Sequence, residues 1–227
     1  MSWSVVRLAD VTATTWRNGG GVTRELVAWP PQDEWQWRMS VAEVERSGPF
    51  SRFEGVQRWF AVIRGAGVAL DIAGEQHTLT TESTPLAFDG AAPTDCQLLN
   101  GSTQDFNLMV RRPGAWAAVR SAQVKEEPAK RAGDTEQNAL PPSLSEAQEA
   151  PAARMLRITT PTRVKVNAPK VIAIWAINTW ATARFDSEII KIPPQSMAWC
   201  LFEHAVDISL ETEGALWMEI PVMSVEI

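Results

Sequence analysis

Histidine is almost missing from this chain: His77 and His204 are the only two in 227 residues, and they fall in different halves. Transition-metal sites in small β-barrels usually draw on two or three histidines with a carboxylate. Neither histidine shows a His or Glu at ligand spacing along its own strand, so no metal and no other cofactor is expected. The same scarcity works against a Ser-His-Asp or Cys-His arrangement, which would need a meeting across the two halves. There is no Gly-x-Ser-x-Gly elbow, and Gly19-Gly20-Gly21 lacks the following Lys and Ser/Thr of a phosphate-cradling loop. No catalytic residue is therefore assigned.

Other shortages narrow the classes further. Cations are outnumbered, 21 Lys and Arg against 27 Asp and Glu, for a formal charge of −6. A nucleic-acid partner is not expected, because phosphate binding needs concentrated Lys and Arg. No apolar run reaches the roughly 18 residues that span a bilayer, so no membrane partner is expected. The first residues have no long apolar core after a basic start, and a signal peptide is not expected. Cys96 and Cys200 are far apart and lie in apolar surroundings. They read as two buried thiols of a cytoplasmic protein, not as a disulfide. Tyrosine is absent while Trp occurs eleven times; much of that Trp must be core.

What is present is β texture. Trp37-Arg38-Met39-Ser40-Val41-Ala42 alternates, with Trp37, Met39 and Val41 on one face and Arg38, Ser40 and Ala42 on the other. Trp59–Ile63, Val68–Ile72, Pro85–Phe88, Gln97–Leu99 and Asp105–Val110 follow, punctuated by glycine-rich turns and by Asn100-Gly101, a hairpin dipeptide. Short strands at such spacing indicate a sandwich or barrel, not βαβ units. Between about Ser121 and Arg154 the character changes to Ala, Glu, Gln, Pro and Lys, with almost no bulky apolar residue. That composition cannot bury enough to fold alone and reads as a linker or surface excursion. Within it, Ser143-Leu144-Ser145-Glu146 has capping-box spacing for a short helix. Strands resume after Leu156, through Val171–Ile177, Glu188–Ile192, Met197–Phe202, Val206–Leu210 and Ala215–Ile220. The division is a first barrel with the ligand pocket at 1–120, a linker at 121–155, and a second, degenerate barrel at 156–227.

Two features carry chemistry. Trp16-Arg17-Asn18 runs straight into Gly19-Gly20-Gly21. Three glycines cost backbone entropy and suit positive φ, close approach or a passive flexible linker; a linker does not need Trp, Arg and Asn before it, so the stretch reads as a shaped corner, with Trp16 and Asn18 on a pocket wall. The second feature is a set of polar residues among apolar strands. Arg38 and Ser40 share one face; Arg58 precedes the apolar run Trp59–Ile63 and can point from a strand end into a barrel mouth; Asn107 stands opposite Phe106 and Leu108. A buried cation must be paired, by a protein carboxylate such as Glu43 or by a ligand. Inward cations and amides together suit a small carboxylate, which the guanidinium fork matches.

In order along the chain, Trp16–Gly21, Trp37–Val44, Ser47–Arg58, Phe88-Asp89-Gly90 and Asp105–Arg112 resemble the HutD/Ves family over roughly residues 3–116. The resemblance implies an all-β bicupin: two jelly-roll-type β-barrels, the second smaller and degenerate. It implies a metal-free cupin that binds a small carboxylate metabolite of histidine utilisation, of the formylglutamate or urocanate type, and modulates that pathway. It also implies that the family's pocket arginine, which follows a phenylalanine-serine turn, corresponds to Arg58, with Phe50 and Ser51 in that turn. Two other readings stay open at this point. One is a cupin enzyme, an isomerase or oxygenase, with Glu43 and Glu25 as acid/base candidates. The other is a structural or partner-binding protein. Homodimerisation is also open.

Overall fold

The computed structural model describes residues 2–30, 35–112, 153–167 and 169–222. The expected linker at 121–155 and the helix expected from Ser143 therefore lie almost wholly outside the described residues.

Strands β1 (Ser4–Arg7), β2 (Thr14–Thr15), β3 (Gly21–Trp29), β4 (Trp37–Val44), β5 (Gly48–Pro49) and β6 (Val56–Arg64) open the chain. They are followed by β7 (Val68–Ile72), β8 (Glu75–Leu79), β9 (Leu86–Asp89), β10 (Thr94–Leu98) and β11 (Thr103–Arg111). The second half supplies β12 (Arg154–Ile158), β13 (Thr162–Val166), β14 (Lys170–Ala176) and β15 (Ala181–Phe185). It ends with β16 (Glu188–Ile192), β17 (Ser196–Phe202), β18 (Val206–Glu211) and β19 (Ala215–Pro221). Helix is limited, among the described residues, to one 3-10 turn at Leu8–Asp10, and no helix there is long and apolar enough to cross a membrane.

These strands form four layers. A four-stranded sheet, β5-β10-β7-β8, faces a six-stranded one, β2-β3-β4-β11-β6-β9. A five-stranded sheet, β1-β17-β14-β19-β12, faces a second four-stranded one, β13-β18-β15-β16. The two large sheets stand back to back. Trp37, Met39, Val41, Phe106 and Leu108 of one pack with Met155, Ala173, Trp175, Leu216 and Met218 of the other in a single core. Alternation dictates this: β14 sends Val171, Ala173 and Trp175 to the centre, and Ile172, Ile174 and Ala176 to the interior of its own half. A strand buried on both faces must be apolar throughout, as β14 is after Lys170.

The jelly-roll bicupin expected from the resemblance is the observed architecture, with two differences. Each half consists of two facing open sheets, not one closed hydrogen-bonded barrel. The N-terminal strand also leaves its own half: β1 pairs antiparallel with β17, placing Ser4 opposite Trp199 and Arg7 opposite Ser196. Without it β17 would be the free edge of its sheet, with unpaired backbone groups, and Leu8 N–H also donates to Gln195 C=O at 2.9 Å.

The two interiors differ. The second is filled by Phe185, Phe202, Ile208, Leu210 and Trp217 with their neighbours. The first is filled at one end by Val44, Phe60, Val62, Leu70, Phe88 and Cys96, and opens at the other into a cavity.

Candidate functional site

The cavity of about 490 Å³ lies on the inner face of the six-stranded sheet. Its position follows from pleating. On β4 the inner residues are Arg38, Ser40, Ala42 and Val44; on β6 they are Arg58 and Phe60; on β11 they are Asn107 and Met109. Register brings them together: Asn107 stands opposite Ser40 on one side and Phe60 on the other, and Met109 lies between Arg38 and Arg58.

Arg58 lies inside β6, not at a strand end, and is 7% exposed. Its Nε and Nη2 both donate to Asn107 Oδ1, at 3.0 and 2.7 Å. Its guanidinium carbon lies 4.7 Å from the Phe50 ring centre, 5.4 Å from that of Phe88 and 5.9 Å from that of Phe60. No carboxylate oxygen lies within 4.0 Å of the guanidinium among the described residues. Nη1 makes no hydrogen bond among those residues and is not sealed from the cavity. Burial therefore pulls the Arg58 pKa down to about 10, while the more distant Asp105 and Cys96 hold it up and Arg38 opposes it. At neutral pH the group is still a cation.

Glu43 is not its partner. It alternates onto the opposite face of β4, where it pairs with Arg24. Glu25 approaches Arg38, with Oε2 2.6 Å from Nε, but the approach is poorly aligned and Arg38 Nε has no hydrogen bond.

The glycine corner forms the rim. Trp16 N–H donates to Gly21 C=O at 3.0 Å, and Gly19 N–H to Trp16 C=O at 2.9 Å. Gly19 takes φ +64°. Gly21 runs so close to β4 that a Cβ there would lie 2.1 Å from the Glu43 carbonyl oxygen. Gly20, by contrast, has no positive φ. Trp16 is held by Nε1 donating to Thr23 Oγ1 at 2.8 Å and meets Phe50 edge-on at 6.5 Å. Asn18 is not free to offer both amide atoms, because its Oδ1 accepts from Gly20 N–H at 3.0 Å; the NH2 group remains. Phe50 is anchored by N–H donating to Thr94 C=O at 2.9 Å.

All eight residues singled out in the sequence, Trp16, Asn18, Arg38, Ser40, Phe50, Ser51, Arg58 and Asn107, line this one cavity. Sequence reading missed Arg17, Thr23, Phe53 and Met109 on its walls. It also missed Asp105, which is fully buried on the same face as Asn107. The signal for Met109 and Asp105 was there, since both share Asn107's parity. Three arginines and no carboxylate line the cavity among the described residues.

Those residues contain no group of three or more His, Cys, Asp and Glu able to hold a metal. His77 does have an acidic neighbour that sequence spacing did not credit: Nε2 lies 3.5 Å from Glu75 Oε1 on the edge strand β8. His204 is exposed between β17 and β18. Cys96 and Cys200 are free, buried thiols.

The model of the family described as HutD matches residues 8–141. An uncharacterised 21.2 kDa protein in the hutC 3′ region of Pseudomonas putida is 36% identical over 107 residues, 46% of this chain and 56% of that protein. Protein Ves of Escherichia fergusonii is 37% identical over 110 residues, 47% of this chain and 57% of that protein. The match thus spans a little over half the length of these curated relatives. Among solved structures, HutD from Pseudomonas fluorescens SBW25 in a formate condition superposes with a TM-score of 0.71 at 25% identity, over 98% of this chain and 100% of that one. A cupin barrel domain protein from Leptotrichia buccalis shares the fold alone, with a TM-score of 0.52 at 9% identity over 96% of each chain.

Proposed function

The chain belongs to the HutD family, and we propose from that premise that its first half binds a small carboxylate metabolite on Arg58. The metabolite is of the formylglutamate or urocanate type, and the protein modulates histidine breakdown through it. The observation that carries this reading is a buried arginine without a carboxylate within 4.0 Å among the described residues, facing a cavity of about 490 Å³. A buried cation left in that condition is costly unless an anion completes it.

Two features support a ligand in that role. Asn107 orients the guanidinium through its amide oxygen without neutralising it. The walls offer Trp16, Phe50 and Phe53 for an apolar or planar portion of the ligand, and Arg38 for a second polar group. The link to histidine breakdown rests on the Pseudomonas putida relative described by its hutC-region position and on the HutD structure.

Calorimetric titration of the purified protein with N-formyl-L-glutamate and with urocanate tests the reading. Saturable binding to the wild type, lost by 30-fold or more in Arg58→Met, is the expected result. No heat and no thermal shift from either compound would return the protein to the structural reading.

A further inference from the structure

On the inner face of β11, Thr103, Asp105, Asn107 and Met109 succeed one another. Asn107 and Met109 line the cavity; Asp105, one pleat further, lies beneath it with no exposure at all. A carboxyl group in that position needs partners on both oxygens. Oδ2 has one, accepting from Thr103 Oγ1 at 3.0 Å. Oδ1 has none among the described residues. The charged and titratable groups around it are few. β6 brings Arg58, held by Asn107 but not within 4.0 Å of the Asp105 carboxylate. The facing strand β10 brings Cys96, whose thiol burial pushes to about 12, so it stays neutral. β4 brings Ala42 directly opposite, and the Glu43 side chain beside it points away. β11 itself brings Thr103.

Two ionisable groups therefore share one interior without touching. An ionised Asp105 is the nearest compensation Arg58 has while the cavity is empty. Once a carboxylate sits on Arg58, that arrangement holds two anions around one cation in a medium of low dielectric, which strongly favours protonating one of them. The ligand is the one in direct contact with the guanidinium, so Asp105 takes the proton.

We propose that Asp105 is the exchangeable counter-charge of the anion site: above neutral pH it is ionised toward Arg58 when the cavity is empty, and it takes one proton from solvent when a carboxylate binds. The assignment rests on the carboxylate-binding reading above. Charge balances at Arg58: one ligand carboxylate and one proton enter together, and the unpartnered Oδ1 receives the proton. Asp105 touches no ligand and acts through Arg58, as a positioning residue. Burial places its titration where it matters. Desolvation raises its pKa to about 7, against the lowering effects of the Thr103 hydrogen bond and of Arg58.

The test uses N-formyl-L-glutamate, which has no group titrating between pH 7.5 and 8.5. Calorimetry at pH 8.0 in HEPES and in Tris, whose ionisation enthalpies differ, should give binding enthalpies that differ by the uptake of close to one proton. From pH 7.5 to 8.5 the affinity should weaken about eightfold, the linkage expected of a group titrating near 7. Asp105→Asn should abolish the buffer dependence and flatten the pH profile, making the variant the tighter binder at pH 8.5. A merely structural role would lower the melting temperature and leave the proton stoichiometry alone. Tight binding with equal enthalpies in both buffers and a flat pH profile would overturn the proposal while leaving carboxylate binding intact. Proton uptake that survives in Asp105→Asn would overturn it too. Should that variant not fold, the wild-type buffer and pH series decides alone. Absence of any binding by the wild type would remove the reading beneath it, and this one with it.

Discussion

Asn107 Oδ1 accepts two hydrogen bonds from Arg58, one from Nε at 3.0 Å and one from Nη2 at 2.7 Å. An amide in this place aims the guanidinium but adds no charge. A carboxylate there would aim it equally well and neutralise it. Asn107→Asp should therefore keep the fold, with a melting temperature at or above that of the wild type, and lose carboxylate binding by about 30-fold or more, roughly 2 kcal/mol. Wild-type affinity in Asn107→Asp would mean that the ligand does not need the charge of Arg58.

Arg58 itself can be separated into charge and shape. Arg58→Met retains an unbranched chain among Phe50, Phe60 and Phe88 and removes a buried cation. Stability should change little, because relief from burying a cation offsets the loss of the two hydrogen bonds to the buried Asn107 Oδ1. Binding should fall by about 2–4 kcal/mol, roughly 30-fold to 1000-fold. Arg58→Lys should lose part of that, because an ammonium cannot reproduce the fork. Thermal melting and calorimetry on the same samples check both halves of the prediction.

In the glycine corner the two outer positions are the demanding ones. A Cβ at Gly21 would sit 2.1 Å from the Glu43 carbonyl oxygen, a backbone atom of a central strand that cannot move aside cheaply. Gly21→Ala should cost about 1–3 kcal/mol. Gly20→Ala meets only the Asn18 side chain, at 3.2 Å, and should cost much less. Equal melting temperatures for the two variants would return the segment to a passive linker.

Asp105 makes stability depend on pH. Its folded pKa of about 7 lies above the ordinary 3.8, so the folded state holds the proton more tightly than the unfolded chain does. The associated stability is complete below pH 4 and is lost as pH rises through 7. Without ligand, the melting temperature of the wild type should fall between pH 5 and 8, and Asp105→Asn should lack that part of the slope. Parallel slopes in the two proteins would place the titrating group elsewhere.

Much of the candidate site's lining was legible because a strand repeats every two residues, and that period is written in a few neighbouring residues. Arg38 and Ser40 on one face, Asn107 opposite Phe106 and Leu108, and a glycine corner after Trp16-Arg17-Asn18 could all be read locally. The family resemblance supplied Phe50, Ser51 and the weight on Arg58. What stayed hidden depends on which strands become neighbours. Arg58 and Asn107 are 49 residues apart, and only the β6–β11 register makes them a pair. Glu43 looked available as the partner until alternation turned it to the far face with Arg24. Asp105 shares Asn107's parity, yet nothing local tells that β10 closes over it and leaves it dry. The exchange of β1 onto β17 is of the same kind, a choice of edge made by the assembled sheets. Local alternation determined which side chains could face inward; long-range strand pairing and burial decided which of them meet, and which charge is left without an opposite.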